Sequence, residues 1–243
     1  MLSTTWCRCI GERSTRLTTE RERGGTVAQV VPVLSSGRVS IRPIKVRDAR
    51  PLERELAENR AWLRRWEATS PYGPVPADSR AAIRSLQNHA RSGAGLPFVI
   101  EVDGEFAGQL NVSGITYGSL ASASIGYWVS QRFAGLGATP IATALATDHC
   151  FTALQLHRLE ICIRPENAPS LRVVEKLGFR YEGLRRRFIH IDGDWRDHFC
   201  FGLVREEVPG GVLNRWLDGQ VPKDACVIPE SDRIAASVPF PGR

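Results

Sequence analysis

Gln131-Arg132-Phe133-Ala134-Gly135-Leu136-Gly137-Ala138-Thr139-Pro140 is the stretch on which the reading of this chain turns. An alternating apolar run from Ser124 to Val129, read as a strand, comes before it, and a helical run from Ile141 to Leu154 comes after it. A glycine-bearing loop therefore joins a strand to a helix N-terminus. The first-turn N–H groups of a helix lack partners and its dipole favours negative charge there, so the junction suits an anion. Gly135 and Gly137 permit backbone conformations and a close approach that a Cβ would block. Pro140 fits in the first turn, where a missing N–H costs nothing. With the positive charge of Arg132, the expected ligand is a pyrophosphate. The pattern is R-x-x-G-x-G. It lacks the Lys of a G-x-x-x-x-G-K-[ST] loop, and Pro140 stands where G-x-G-x-x-G needs its third glycine. Taken alone, it serves equally well as a structural turn.

The chain has 243 residues, 42% of them hydrophobic and 24% charged, within the ordinary range for a globular protein. Its formal charge of +6 is almost all arginine, since lysine occurs only at 45, 176 and 223. Biased composition explains that charge, as does attraction to an acidic cofactor or a ribonucleoprotein surface. The six cysteines are scattered with no C-x-x-C pair, which points to neither a zinc site nor a disulfide framework and fits a cytoplasmic protein with reduced thiols. The histidines (89, 149, 157, 190 and 198) show no metal-ligand spacing, so no metal is expected. No apolar run approaches the roughly 18 residues that span a bilayer, and no membrane partner is expected.

Residues 1–29 have no hydrophobic period and are read as an N-terminal extension. The proline-dotted stretch 219–243 is read as a C-terminal tail, leaving a folded domain over 30–218. Within it, Arg38–Ile44 alternates as a strand, and Asp48 is placed to cap a helix running to Trp66 with a break near Asn59. Asp78 caps a second helix that ends at Ser92-Gly93. Strands at Pro97–Val102, Phe106–Ile115 and Ser122–Val129 form a meander, its first turn at Asp103-Gly104. A strand at Arg158–Arg164, a helix at Asn167–Lys176 stopped by Gly178, and a hairpin turning at Asp192-Gly193 complete the order. The expected class is α+β: a mixed sheet with helices on both faces.

That order, with R-x-x-G-x-G between strand and helix, resembles the GCN5-related N-acetyltransferase (GNAT) superfamily. Further segments resemble its ribosomal-protein N-terminal acetyltransferase group: Ile125-Gly126-Tyr127-Trp128-Val129, His157-Arg158-Leu159-Glu160, Arg164-Pro165-Glu166-Asn167-Ala168-Pro169-Ser170, Val174-Glu175-Lys176-Leu177-Gly178-Phe179 and Trp195-Arg196-Asp197-His198. The resemblance covers about residues 38–204. It implies a GNAT fold, a mostly antiparallel sheet in which Ser124–Val129 and Arg158–Arg164 are parallel and splay apart around acetyl-CoA. Main-chain groups near Trp128 and Val129 would hold the pantetheine. Arg132, Phe133, Ala134, Gly135, Leu136, Gly137 and Ala138 would hold the pyrophosphate. Asn167 would bind the pantetheine arm, and Ser170 would sit near the thiol. Asn59, Trp66 and Tyr72 fall where the family places its acceptor groove. The implied reaction is acetyl transfer to the α-amine of a protein N-terminus, with Ala or Ser of a ribosomal protein expected. Ribosome association is implied with it, and the chain is a monomer or a homodimer. A small-amine acetyltransferase and a CoA-binding assembly factor with little turnover are the alternatives.

Acyl transfer to an amine needs a neutral acceptor, a stabilised oxyanion and a tolerated or protonated thiolate. An α-amine has a pKa near 8, so a neutral fraction exists without a strong base. Glu160 shares a face with Cys162 by the two-residue period. In some relatives a Glu that acts through water stands at the position matched by Cys162. Glu160 is accordingly a candidate base, with pairing to an arginine as the other reading. Ser170 is either a proton donor to the thiolate or a helix-start residue. Cys162 reads as a small buried hydrophobe.

Overall fold

A computed structural model describes residues 31–73 and 78–238. The expected extension over 1–29 lies outside them. The helices form where apolar residues recur at helical spacing: α1 (Ala49–Glu58), α2 (Arg60–Leu63), α3 (Ser79–Arg91), α4 (Ala138–Thr152), α5 (Ala168–Leu177), α6 (Val212–Leu217) and α7 (Glu230–Ser237). The strands are β1 (Leu34–Ser36), β2 (Val39–Pro43), β3 (Gly95–Val102), β4 (Glu105–Thr116), β5 (Ser122–Val129), β6 (Arg158–Ile163), β7 (Arg180–Ile191) and β8 (Asp194–Val204).

They make one sheet in the order β1-β2-β3-β4-β5-β6-β8-β7, antiparallel throughout except at β5–β6. Asp103-Gly104 and Asp192-Gly193 turn their hairpins with positive φ at each residue, which matches the twist of the flanking strands.

Period two divides β3 between the faces of the sheet. Phe98, Ile100 and Val102 pack with α4 and α5, whereas Val99 packs with Ala49 and Leu52 of α1 and Ile83 of α3. Helices thus cover both faces, as expected. Ala138, Ala142, Ala144 and Ala146 of α4 are fully buried, and their small side chains let the helix lie close against the sheet.

One register detail positions the site. The β5–β6 ladder pairs Ser122 with Arg158, Ala123 with Leu159 and Ser124 with Glu160, then stops. Both strands continue, to Val129 and Ile163, without pairing to each other. From there β6 is held by β8, through pairs that run from Arg158↔Val204 to Ile163↔Phe199.

Several local expectations are revised. Asp48 precedes α1 but makes no side-chain cap; its carboxylate takes the Lys45 N–H (2.7 Å) and pairs with Arg42 (2.8 Å), tying β2 to the first helix. Asp78 does cap α3, accepting from the N–H groups of Arg80 and Ala81. Helix α4 starts at Ala138, ahead of the expected Ile141, because Gly137 at φ 80° serves as its N-cap. The short strand β1 and helix α6 went unread.

The C-terminal stretch differs most. Ile228 is buried, the Tyr181 N–H donates to the Ala225 carbonyl, and the Tyr181 hydroxyl donates to Asp232 of α7 at 2.6 Å. The segment read as an irregular tail from residue 219 therefore packs along β7 as far as residue 238. Its prolines mask a packed segment, anchored by Ile228, whose burial partners lie far away in sequence.

Candidate active site

The loop after β5 is fixed from below by α1. Glu55, fully buried, accepts from the Ser130 hydroxyl (2.7 Å) and from Arg132 Nη2 (2.8 Å). Asn59 is also buried: its Nδ2 donates to the Glu55 carbonyl, and its Oδ1 accepts the Gln131 N–H at 2.8 Å. Arg132 reaches Glu105 as well and lies over the Phe133 ring. Its charge is thus spent on two carboxylates. Arg132 and Asn59 anchor the loop; neither lines the cavities described below.

The loop itself is an N–H cradle. Phe133 and Ala134 N–H groups are consumed by the carbonyls of Ser130 and Gln131. The N–H groups of Gly135, Leu136, Gly137, Ala138 and Thr139 have no backbone acceptor among the described residues. Gly135 and Gly137 both sit at φ 80°, and a Cβ built on either would meet nothing within 4 Å. The glycines are required by backbone conformation, and the space above them is open.

Where β5 has left β6, the end of β5, the loop after it, α2 and α5 surround a cavity of about 420 Å³, lined by Trp62, Trp66, Tyr127, Trp128, Val129, Phe133, Ala134, Gly135, Gly137, Ala138, Asn167 and Ser170, among others. Leu136 points away and is 63% exposed. The Val129 carbonyl, expected to meet a ligand, accepts the Trp62 indole N–H at 3.2 Å. A second cavity, about 340 Å³, shares Trp66, Tyr127, Trp128, Asn167 and Ser170 with the first and continues to Asn111, Cys162, Arg164 and His198. The shared residues mark where the two meet.

At that meeting point Asn167 caps α5 through the Ser170 N–H (3.2 Å), and Ser170 Oγ lies 3.4 Å from the Tyr127 hydroxyl. Burial pushes the Tyr127 phenol well above its ordinary pKa, so it stays protonated. The Trp66 ring lies under the guanidinium groups of Arg65 (4.7 Å) and Arg164 (5.4 Å). Tyr72 is 97% exposed and joins neither cavity.

Glu160 lies on the same face of the sheet as Cys162 but lines neither cavity. Arg185 holds both of its oxygens, at 2.6 and 2.8 Å. Cys162 and Cys200 are register partners with sulfurs 3.0 Å apart. Their sulfurs and the Glu160 carboxylate form a cluster with metal-ligand geometry, yet the Arg185 guanidinium already supplies the cation on Glu160 and approaches Cys162 at 3.6 Å. Contact with Cys200 and burial raise the Cys162 thiol well above its usual pKa, so it stays protonated. No helix among the described residues is long and apolar enough to cross a membrane.

A profile of the acetyltransferase (GNAT) domain matches residues 38–180. The chain belongs to the GNAT family. It is a GNAT-type N-acetyltransferase, and its relatives include ribosomal-protein acetyltransferases. Mycobacterium smegmatis RimJ in complex with CoA-disulfide superposes with a TM-score of 0.72 at 38% identity, over 79% of this chain and 96% of that one. The [ribosomal protein uS5]-alanine N-acetyltransferase of Escherichia coli (strain K12) is 28% identical over 181 residues, 73% of this chain and 93% of its own. The spermidine N(1)-acetyltransferase of the same organism is 28% identical over 186 residues, 74% of this chain and 96% of its own.

In this GNAT chain the structure brings together Trp66, Trp128, Val129, Phe133, Ala134, Gly135, Gly137, Ala138, Asn167 and Ser170 of the candidate residues. It sets Asn59, Tyr72, Arg132, Leu136 and Glu160 apart from the cavities. Trp62, Tyr127 and His198 line them without having been singled out. Tyr127 could have been found from its place on the strand face that carries Ile125 and Val129; Trp62 gave no signal of its own.

Proposed function

We propose that the chain transfers acetyl from acetyl-CoA to the α-amine of a protein N-terminus, by direct attack with both substrates bound. The residues present fit the acetyl-CoA donor. The N–H groups from Gly135 to Thr139 would take its pyrophosphate, and the unpaired gap between β5 and β6 would take the pantetheine, with Asn167 beside it. When bound, acetyl-CoA supplies a thioester. Ser170 and the protonated Tyr127 are the hydroxyls at the meeting of the cavities, where a departing thiolate would take up a proton. Glu160, neutralised by Arg185, is assigned to holding the sheet.

The observation that carries the acceptor class is the charge of the second cavity. Its lining has Glu67 as its carboxylate, already paired with Arg60, and Arg164, paired with Glu166, so the wall offers no uncompensated negative charge. A polyamine with several ammonium groups would find little to neutralise it, whereas a peptide needs one site for its terminal nitrogen. The spermidine-acetylating relative nevertheless keeps a small polyamine as the competing acceptor.

The test is intact-mass acetylation of a panel with purified protein and acetyl-CoA: peptides with free Ala, Ser and Met termini, an N-blocked lysine peptide, and spermidine. Modification confined to free N-termini is expected. Acetylation of spermidine alone would transfer the function to small amines. Acetyl-CoA binding without any product would indicate a binding protein.

A further inference from the structure

The acetyl-transfer reading leaves one chemical need without a group: something must receive the proton that the amine loses as its nitrogen forms the new bond. Cys162 stands where some relatives carry a glutamate, and Glu160 is held by Arg185. We propose that His198 is the catalytic base, its Nε2 taking the proton from the acceptor amine.

The placement comes from the last hairpin. His198 lies on β8, directly across from Arg185 of β7, and its side chain lines the second cavity with Asn167, Ser170 and Tyr127. The residue as a whole is buried, 3% exposed. Its Nδ1 is 3.0 Å from the Arg196 carbonyl. A carbonyl only accepts, so Nδ1 must carry the hydrogen, and in the neutral ring that leaves the lone pair on Nε2. Nε2 has no hydrogen-bond partner among the described residues, and Phe188 packs edge-on against the ring. The ring is thus locked in one tautomer with its basic atom free.

The surroundings keep it unprotonated. Burial is the main cause lowering the His198 pKa below the ordinary histidine value, and the Arg164 guanidinium beyond β6 adds to it. The hydrogen bond to Arg196, together with Asp197 on its own strand and Glu166 before α5, acts in the opposite sense without reversing the shift. Arg185 on β7 and Arg164 are themselves paired, with Glu160 and Glu166. Cys162 on β6 and Glu67 after α2 share the cavity wall; the first stays protonated and the second is paired with Arg60. A depressed pKa means that the base form is present across the neutral range. The step balances: the amine nitrogen bonds to the acetyl carbon as the carbon–sulfur bond breaks, the amine proton moves to Nε2 to give an imidazolium, the thiolate leaves with a proton from the Ser170–Tyr127 pair, and the imidazolium then gives up its proton to solvent while that pair takes one back.

This inference rests on the proposed acetyl transfer, and its test separates the two. Nitrogen-15 spectra of the full chain report the His198 tautomer and its titration directly, whatever the acceptor. An Nδ1–H tautomer with a pKa below about 6.5 is expected. An Nε2–H ring, or one charged at pH 7, would overturn the proposal even if the protein acetylates peptides. The second measurement is the pH profile of kcat/KM for His198→Gln and His198→Asn against wild type, with whichever amine the wild type acetylates. Loss of roughly 10²-fold in kcat, disappearance of the acid-side limb and an unchanged KM for acetyl-CoA are expected. A parallel profile at reduced height would reassign His198 to structure. If spermidine is the acceptor, the proposed function falls while the role of His198 is still judged by these profiles.

Discussion

Arg132 Nη2 lies 2.8 Å from the carboxylate of Glu55, which is fully buried under the loop that presents the row of N–H groups without backbone acceptors. The pair joins the floor of α1 to the rim of the proposed donor site, so a change at Glu55 acts at a distance. Glu55→Gln keeps the shape and removes the charge. We expect a loss of about 1–3 kcal/mol, the cost of weakening hydrogen bonds to a charged group. Urea midpoints at constant m would show it. Affinity for acetyl-CoA, measured by calorimetry, should fall as well, since the loop loses its anchor.

Gly135 makes a sharper prediction than its sequence suggested. A Cβ there has room but the wrong backbone, at φ 80°. Left-handed conformation costs an L-residue about 1–2 kcal/mol, more when β-branched. Acetyl-CoA affinity should therefore rank Gly above Asn, Asn above Ala, and Ala above Val at position 135, with thermal midpoints falling in the same order by about 2–4 °C per kcal/mol of strain. Equal affinities across the series would remove this loop from the donor site.

The Ser170 and Tyr127 hydroxyls, 3.4 Å apart, should act as a unit. Ser170→Ala and Tyr127→Phe are each expected to lower kcat by roughly 10²-fold, the usual range for a lost proton donor. The double variant should be scarcely worse than either single one. Multiplicative losses would mean that they serve different steps.

Much of this was legible in the chain and some was not. The strand-loop-helix around Gly135, the hairpins at Asp103-Gly104 and Asp192-Gly193, and Asn167 as a cap depend on local chemistry, which sequence carries directly, whereas the place of Asn167 at the cavity came from the family resemblance. Arg132 was read as a free charge because its partners, Glu55 and Glu105, come from other elements. Glu160 was ambiguous for the same reason: its partner Arg185 lies on β7. His198 looked like any other histidine until β8 paired with β6 and carried it to the cavity wall. The end of the chain misled most. Its prolines argued against regular structure, while the groove beside β7 that accepts Ile228 is a property of the assembled sheet.

Acid stability has a definite sign. Burial alone would raise the Asp48 carboxyl, but Arg42 and the Lys45 N–H outweigh it and hold the pKa below the usual value. A depressed pKa gives stability that is present above the unfolded value, about 3.9, and is lost as pH falls through the folded one. Wild type should weaken steeply below about pH 4, and Asp48→Asn should show lower stability at pH 7 with a flatter acid limb.

The C-terminal strap can be removed to measure its worth. Truncation after Gln220 deletes Ile228 and the Asp232 partner of Tyr181. Burial of one isoleucine contributes about 1.5–3 kcal/mol and each hydrogen bond about 1. We expect a clear fall in the urea midpoint and a smaller m, as less surface remains to be exposed. An unchanged midpoint would show that the strap adds no stability.

The early end of the β5–β6 ladder has a thermodynamic meaning. The sheet is in effect two panels, β1 to β5 and β6-β8-β7, joined along a seam only as long as Ser122–Ser124. Whatever occupies the gap beyond acts as mortar between them. A ligand held there by the folded chain alone raises the unfolding free energy by RT ln(1 + [L]/Kd), about 2.7 kcal/mol at a hundredfold excess over Kd. The concentration of that ligand would then set how firmly the panels stay together, making the protein's lifetime a readout of its own donor supply.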